Sequence, residues 1–182
     1  MILTGKKITE EVKSGNIKIY PFDSCMVNPN SYNYRISDHL LEFDFDIIDP
    51  AKESKPKQIK LTDSGYVLYP NRLYLAATYE SIGSDKYVTS LIGRSSIGRL
   101  GLFLQITADL GHQGNNHCWT LELKVVQPFR IYPWMKIGQV SFWKVYESDS
   151  CTTLYKDVGH YNSYSRPEPS NFHSELLSYM KL

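Results

Sequence analysis

Residues 119–126 read WTLELKVV, and the alternation in this stretch decides the class of fold. A strand sends successive side chains to opposite faces, so Thr120, Glu122 and Lys124 share one face and Trp119, Leu121 and Leu123 the other. One acidic side chain, Glu122, stands among large apolar neighbours. A carboxyl group in partly apolar surroundings is the kind that general acid/base chemistry near neutral pH uses. A second reading stands beside it, a surface glutamate paired on the Lys124 side of the sheet, which is the commoner fate of a lone glutamate in a strand.

The same texture extends on both sides. Short runs rich in Tyr, Val, Ile, Leu and Phe, punctuated by Pro, Gly, Asn and Asp, predict further strands at 32–37, 41–45, 59–61, 66–68, 73–79, 88–92, 102–106, 129–131 and 139–146. Asp63-Ser64-Gly65 and Tyr69-Pro70-Asn71 supply turns between them. The fold class expected is all-β, with one short helix over residues 4–14, where Thr4 caps, Ile8 and Val12 share a face and Gly15 follows. DPAKESKPK at 49–57 reads as an exposed loop rather than a linker, since strands resume on either side. Residues 1–182 are therefore expected to form one domain. The tail GHYNSYSRPEPS at 159–170 cannot continue a strand and is expected to be a mobile flap, and apolar side chains at Leu176, Leu177 and Met180 suggest a terminal helical turn or two docked on a neighbour.

Composition narrows the function classes. The chain has 182 residues, 42% of them hydrophobic, and 20 basic against 19 acidic side chains leave a net charge of +1. Nothing in that overall field marks a protein that coats nucleic acid or an anionic membrane, so any polyanion must be met locally. Cys25, Cys118 and Cys151 are far apart and fit neither a disulfide framework nor a C-x-x-C metal site. With no apolar leader or ~20-residue apolar span in the sequence, a cytoplasmic location is expected. His39, His117 and His173 have no partner at metal-ligand spacing and are assigned surface or hydrogen-bonding roles. Trp134, Trp143 and the many tyrosines are assigned to core and inter-subunit packing.

The chemistry concentrates at residues 91–104, LIGRSSIGRLGLFL. Gly93 and Gly98 would permit close backbone approach and unusual dihedrals, Ser95 and Ser96 offer hydroxyls, and Arg94 and Arg99 offer planar forks suited to phosphate oxygens. A phosphate cradle and a turn with surface arginines fit this composition equally well, since the pattern is neither a P-loop nor a dinucleotide fingerprint.

The ordered set GRSSIGRLGL, TADLG, TLEL and YPWMKIGQVSF resembles the central signature of dCTP deaminases, which read GRSSLGRLGL, TA followed by DPG, TLEL-like, and a P-G-M-x-I-G-Q-like strand. Spacing agrees across residues 94–122, and the opening helix and NSYNYRIS, similar to S-Y-D-L-R-L, extend the likeness over most of the chain. The resemblance implies a distorted jelly-roll-like fold shared with dUTPases, assembled as a homotrimer with inter-subunit active sites. It implies that the segment Arg94, Ser95, Ser96, Ile97, Gly98 and Arg99 binds the triphosphate, with Ser95 and Arg99 also holding the reacting water. Thr107 and Ala108 would present backbone groups to the base. Thr120, Leu121 and Glu122 would come from the neighbouring subunit, with Glu122 as acid/base.

The implied reaction is hydrolytic deamination of dCTP to dUTP and ammonia without zinc; the combined H-x-E and P-C-x-x-C signature of zinc deaminases is absent. Mg²⁺ is expected with the triphosphate, held mainly by phosphate oxygens and waters, and dTTP is a candidate inhibitor. A lid over residues 155–170 would bring Tyr155 and Tyr161 to the nucleotide, with His160 where lysine is usual and Tyr164 where glutamine is common. His112 and Gln113 replace the family's Asp-Pro, whose aspartate meets the sugar 3′-hydroxyl and, in dUTPases, helps activate water. Alternatives therefore stand beside the main reading: a bifunctional enzyme releasing dUMP, a relative specific for a modified deoxycytidine nucleotide, or one without catalysis. Asn33, where the pattern has Asp, is read as a structural change.

Overall fold

The computed structural model describes residues 1–104, 107–146, 154–159 and 164–180. Thr4 caps helix α1 (Gly5–Lys13) by accepting a hydrogen bond from the Lys7 N–H at 3.3 Å, and fully buried Ile8 ties the helix to the core. The strands that follow are β1 (Lys18–Tyr20), β2 (Tyr32–Phe43), β3 (Lys57–Lys60), β4 (Tyr66–Leu68), β5 (Leu73–Ser84) and β6 (Tyr87–Gly93). A short helical turn, α2 (Ser95–Gly98), leads to β7 (Leu102–Leu104), β8 (Leu110–Gly111), β9 (Asn115–Val125), β10 (Phe129–Ile131) and β11 (Lys136–Lys144). Two helices, α3 (Tyr155–Val158) and α4 (Phe172–Met180), lie near the C-terminus.

One sheet takes the order β7-β9-β5-β2-β11-β6-β8, with β1 added to β5 and β3 to β2; β4 and β10 form a separate pair. Every ladder is antiparallel. β2 curls the sheet by changing partners along its length: residues 32–35 pair with β11, and residues 40–43 pair with β5. The core between the curled halves is built from side chains such as Tyr34, Ile36, Tyr74, Leu121, Val140 and Phe142, all fully buried. Each contributes roughly 1.5–3 kcal/mol by leaving water.

Several strand boundaries differ from the sequence reading. The two strands expected at 32–37 and 41–45 are one strand, because Asp38 and His39 sit at an irregularity between Ile36 and Leu40 rather than at a turn. β5 continues five residues beyond the expected stop at Tyr79, through Glu80, whose charge is met by Arg35 of β2. β9 begins at Asn115, earlier than its apolar pattern suggests, because residues 115–118 pair with β5. β1 and β8 were not expected; each is three residues or fewer. Ile106, the expected end of β7, lies outside the described residues. Asn33 is structural: its Nδ2 donates to the Met26 carbonyl and to Asn28 Oδ1, both at 3.1 Å. No helix among the described residues is long and apolar enough to cross a membrane.

Candidate active site

A cleft of about 570 Å³ lies along β9. Its phase is set by an irregularity in the β5–β9 ladder, where Ala77 faces Thr120 and Ser81 faces Cys118, leaving Thr78, Tyr79 and Glu80 opposite Trp119 alone. The Trp119 N–H donates to the Thr78 hydroxyl at 2.8 Å, and that hydroxyl donates to the Glu80 carbonyl at 2.7 Å. A bulge of this kind re-aims the side chains that follow it. Asn115, His117 and Trp119 line the cleft before it, and Thr120 and Glu122 line it after. The expectation that Trp119 faces away from Thr120 and Glu122 is thereby corrected: simple alternation fails at the bulge.

Glu122 is half-buried and stands in register with Leu75. Leu41, Phe43 and Leu75 form a small apolar cluster of their own, and Phe43, Leu73 and Leu75 give the Glu122 end of the cleft an apolar wall. Leu121, expected to meet the substrate, is wholly buried in the core and does not line the cleft. Ala108 and His112 also line the cleft, and Thr107 is exposed but does not line it.

The C-terminal segment closes part of the rim. Tyr155 donates its N–H to the Gln113 carbonyl at 2.9 Å, and its ring stacks on His112 at 5.5 Å with an interplanar angle of 17°. The Tyr164 carbonyl accepts from the Cys118 N–H at 3.0 Å, and the Glu168 N–H donates to the Thr120 hydroxyl at 3.2 Å. Tyr155, Tyr164 and Glu168 all line the cleft. The expected flap is thus, in its described part, packed on β9, and the Thr120 hydroxyl is engaged by the chain itself. His160 and Tyr161 lie outside the described residues.

The arginine-bearing turn is elsewhere on the same chain. Buried Ile97 pins α2 to the core, while Ser95, Ser96 and Arg99 are exposed. Arg94 caps the turn, and its Nη1 reaches the Lys136 carbonyl at 3.5 Å. None of residues 94–99 lines the cleft. Gly93 and Gly98 do not have the unusual dihedrals expected of them, and an added Cβ at either would meet nothing closer than 3.6 Å. Gly101 is the glycine this turn requires, at φ 88 with Val126 2.6 Å from any added Cβ.

His117 is 8% exposed, and burial pushes its imidazole below the ordinary value, favouring the neutral ring. It packs against the Trp119 indole at 4.5 Å. The hydrogen-bonding role expected for it holds, through the Cys118 carbonyl at 3.0 Å. Asn115, His117, Trp119 and Glu168 were not singled out as site residues from sequence. The bulge that brings the first three to the cleft comes from pairing with β5 and leaves no mark in the β9 sequence alone.

The family model described as dCTP deaminase-like matches residues 2–145. The chain belongs to this family. Among similar dCTP deaminase-like proteins, one from Hathewaya histolytica named "dCTP deaminase, dUMP-forming" is 44% identical over 145 residues, covering 80% of this chain and 84% of that one. One from Clostridium acetobutylicum with the same name is 41% identical over 172 residues, covering 94% and 91%. A protein of Rhodopirellula baltica named "dCTP deaminase" is 39% identical over 176 residues, covering 97% and 86%. Among solved structures, 2′-deoxycytidine 5′-triphosphate deaminase from Agrobacterium tumefaciens superposes with a TM-score of 0.62 at 20% identity, over 78% of this chain and 47% of that one. At that identity the likeness speaks for the fold, and it agrees with the dUTPase-like curled sheet expected from sequence.

Proposed function

We propose that this dCTP deaminase-like chain hydrolyses the 4-amino group of dCTP and carries the product through to dUMP, so that dCTP and two waters give dUMP, ammonia and pyrophosphate. The observation that carries the deamination half is Glu122, a half-buried carboxyl on an apolar-walled cleft that also holds Ala108, His112 and Tyr155. The dUMP half rests on the relatives named as dUMP-forming at 41–44% identity. This revises the expectation that the reaction stops at dUTP.

In this reading Glu122 takes a proton from water as the oxygen adds at C4 of cytosine and passes it to N3; it then takes the proton of the added hydroxyl as the C4 carbonyl forms and the C4–N bond breaks, and gives it to the departing ammonia. Acid/base catalysis supplies about 10²–10⁴ in rate, and positioning supplies the rest. Zinc has no part in this scheme. Magnesium would be carried on the triphosphate oxygens and waters, neutralising charge that two arginines leave over. Among the described residues no group of three or more His, Cys, Asp or Glu side chains stands ready to hold a metal, and an ion that arrives on the triphosphate needs none.

Arg94, Ser95, Ser96 and Arg99 lie off the cleft that holds Glu122 in the same chain, which favours a site completed by a second copy, as in a homotrimer. Exposed apolar side chains around the turn, Ile92, Leu100 and Phe103, suit burial between copies. A second reading, deamination ending at dUTP, is favoured by His112: an imidazole stacked on Tyr155 stands where dUTPases have the aspartate that helps activate water, and it supplies no carboxylate there. Incubating the purified protein with dCTP and Mg²⁺ and separating the products tests both. We expect dUMP and pyrophosphate; accumulation of dUTP supports the second reading, and unchanged dCTP overturns both.

A further inference from the structure

The end of the cleft away from Glu122 is polar, and the acid/base chemistry makes no use of it. Asn115 lines the cleft, is 4% exposed, and its carboxamide oxygen is buried with no hydrogen-bond partner. Native interiors leave few such atoms, because a buried acceptor without a donor forfeits the bond it had with water. Two residues along the same strand face is His117, also on the cleft, with Nδ1 3.0 Å from the Cys118 carbonyl oxygen. A carbonyl oxygen only accepts, so Nδ1 carries the proton and the neutral ring presents Nε2 as a second acceptor. Burial favours that neutral form. His112, three residues before Asn115 in the same turn, lines this end with Tyr155 stacked against it.

The acceptor left without a donor, Asn115 Oδ1, is met by a donor on the ligand, which an ionised phosphate oxygen does not supply. This end therefore fits the nucleoside, and the triphosphate is left to the arginine-bearing turn. The amine of cytosine belongs beside Glu122 if that carboxyl is to pass it a proton. What remains as a donor on a deoxynucleoside is the sugar hydroxyl.

We propose that Asn115, with His117 beside it, is a specificity-determining residue that accepts a hydrogen bond from the sugar 3′-hydroxyl. The proposal rests on the nucleotide reading of the cleft given above. The terminal amide torsion of asparagine is soft, so the buried oxygen turns toward an entering hydroxyl without movement of β9. A ligand donor would satisfy an atom that the folded chain leaves unsatisfied, which makes the hydroxyl's contribution large for a single contact.

The test is steady-state kinetics on the full chain with dCTP and with 2′,3′-dideoxy-CTP, comparing wild type, Asn115→Ala and Asn115→Asp. We expect Asn115→Ala to raise KM for dCTP roughly five- to tenfold while leaving KM for the dideoxy substrate unchanged, and Asn115→Asp, which keeps an acceptor, to restore dCTP binding. An equal effect on both substrates, or none on either, overturns the proposal. Thermal melts of the three proteins separate a folding defect from a binding one, since a folding defect cannot distinguish substrates that differ by one hydroxyl. If wild type fails to turn over dCTP at all, the nucleotide reading itself has failed; wild-type turnover with an indifferent Asn115→Ala overturns the Asn115 assignment alone.

Discussion

The Arg35 guanidinium donates through Nε to the carboxylate of fully buried Glu80 at 2.7 Å, and the Arg35 backbone N–H adds a bond of 2.9 Å to the same group. Arg35 also lies over the Tyr79 ring at 4.7 Å. This pair sits where β5 bulges against β9, so it stabilises the irregularity that brings both Trp119 and Glu122 to the cleft. Removing one partner leaves a buried charge unmatched. Glu80→Ala should cost about 3 kcal/mol, the lower end of the range for broken buried pairs because the Arg35 side chain is 21% exposed. Urea unfolding measures it, and a change under 1 kcal/mol would show that the pair contributes little.

Thr78 is the hinge pin of the same bulge, accepting from the Trp119 N–H and donating to the Glu80 carbonyl. Thr78→Val keeps the shape and deletes both bonds. The cost should be about 1–3 kcal/mol, accompanied by a rise in KM for dCTP, because Trp119 and Thr120 lose their fixed phase. A stability loss with unaltered KM would argue that the bulge does not position the cleft.

Glu122→Gln should lower kcat by about 10²–10⁴ while leaving nucleotide binding within a few-fold of wild type. The amide is isosteric and has no ionisable proton with which to act as acid and base. Turnover equal to wild type would rule out Glu122 as the acid/base.

Two carboxylates set the acid limb of stability. Burial pushes the Glu42 carboxyl up, but the Arg72 guanidinium at 2.7 Å and the Tyr66 and Tyr74 hydroxyls outweigh it and hold the group below its ordinary value. At Glu11 the Lys7 ammonium at 2.9 Å, opposed by burial and aided by Asn16, holds the carboxyl at about 2. Both folded values lie below the unfolded value of about 4.3. Their stabilisation is therefore complete above that pH and is lost as pH falls through it toward the folded values. Stability measured by denaturant titration should be insensitive to these groups from pH 7 to about 5 and fall below. Lys7→Met should flatten that fall, because it removes the group that lowers the Glu11 carboxyl most.

Gly114 combines φ 89 with close packing, since an added Cβ would stand 2.7 Å from Leu154 Cβ. Gly114→Ala should destabilise the fold by about 1–2 kcal/mol through the left-handed backbone alone. It should also displace residues 154–155, so that the His112–Tyr155 stack is lost. A lowered Tm with a raised KM for dCTP is the expected result; an unchanged Tm would mean that the turn relaxes freely.

Trp134 illustrates a feature that no pattern of polarity reveals. It adopts φ 65, where the family's pattern carries glycine, and its ring meets Tyr79 edge-on at 4.7 Å. Left-handed backbone costs a side chain about 1–2 kcal/mol, and an aromatic pair returns about 0.5–1.5. The two nearly cancel, which is why tryptophan is tolerated at a glycine position.

The sequence by itself determined the strand-rich class, the capped opening helix, the exact extents of β4 and β10, and the family to which GRSSIGRLGL, TADLG and TLEL point. Those features are local: caps, turns and side-chain alternation act over a few residues, so adjacent letters record them. Tertiary structure alone decided that Glu80 stays inside β5, that β2 runs unbroken past Asp38, and that Asn115, His117 and Trp119 join Glu122 on one cleft. Each depends on a partner distant in sequence: Arg35 for the buried charge, a change of neighbouring strand for β2, and the β5 bulge for β9. Long-range pairing sets which face a side chain takes, and a single strand's own residues carry no record of it.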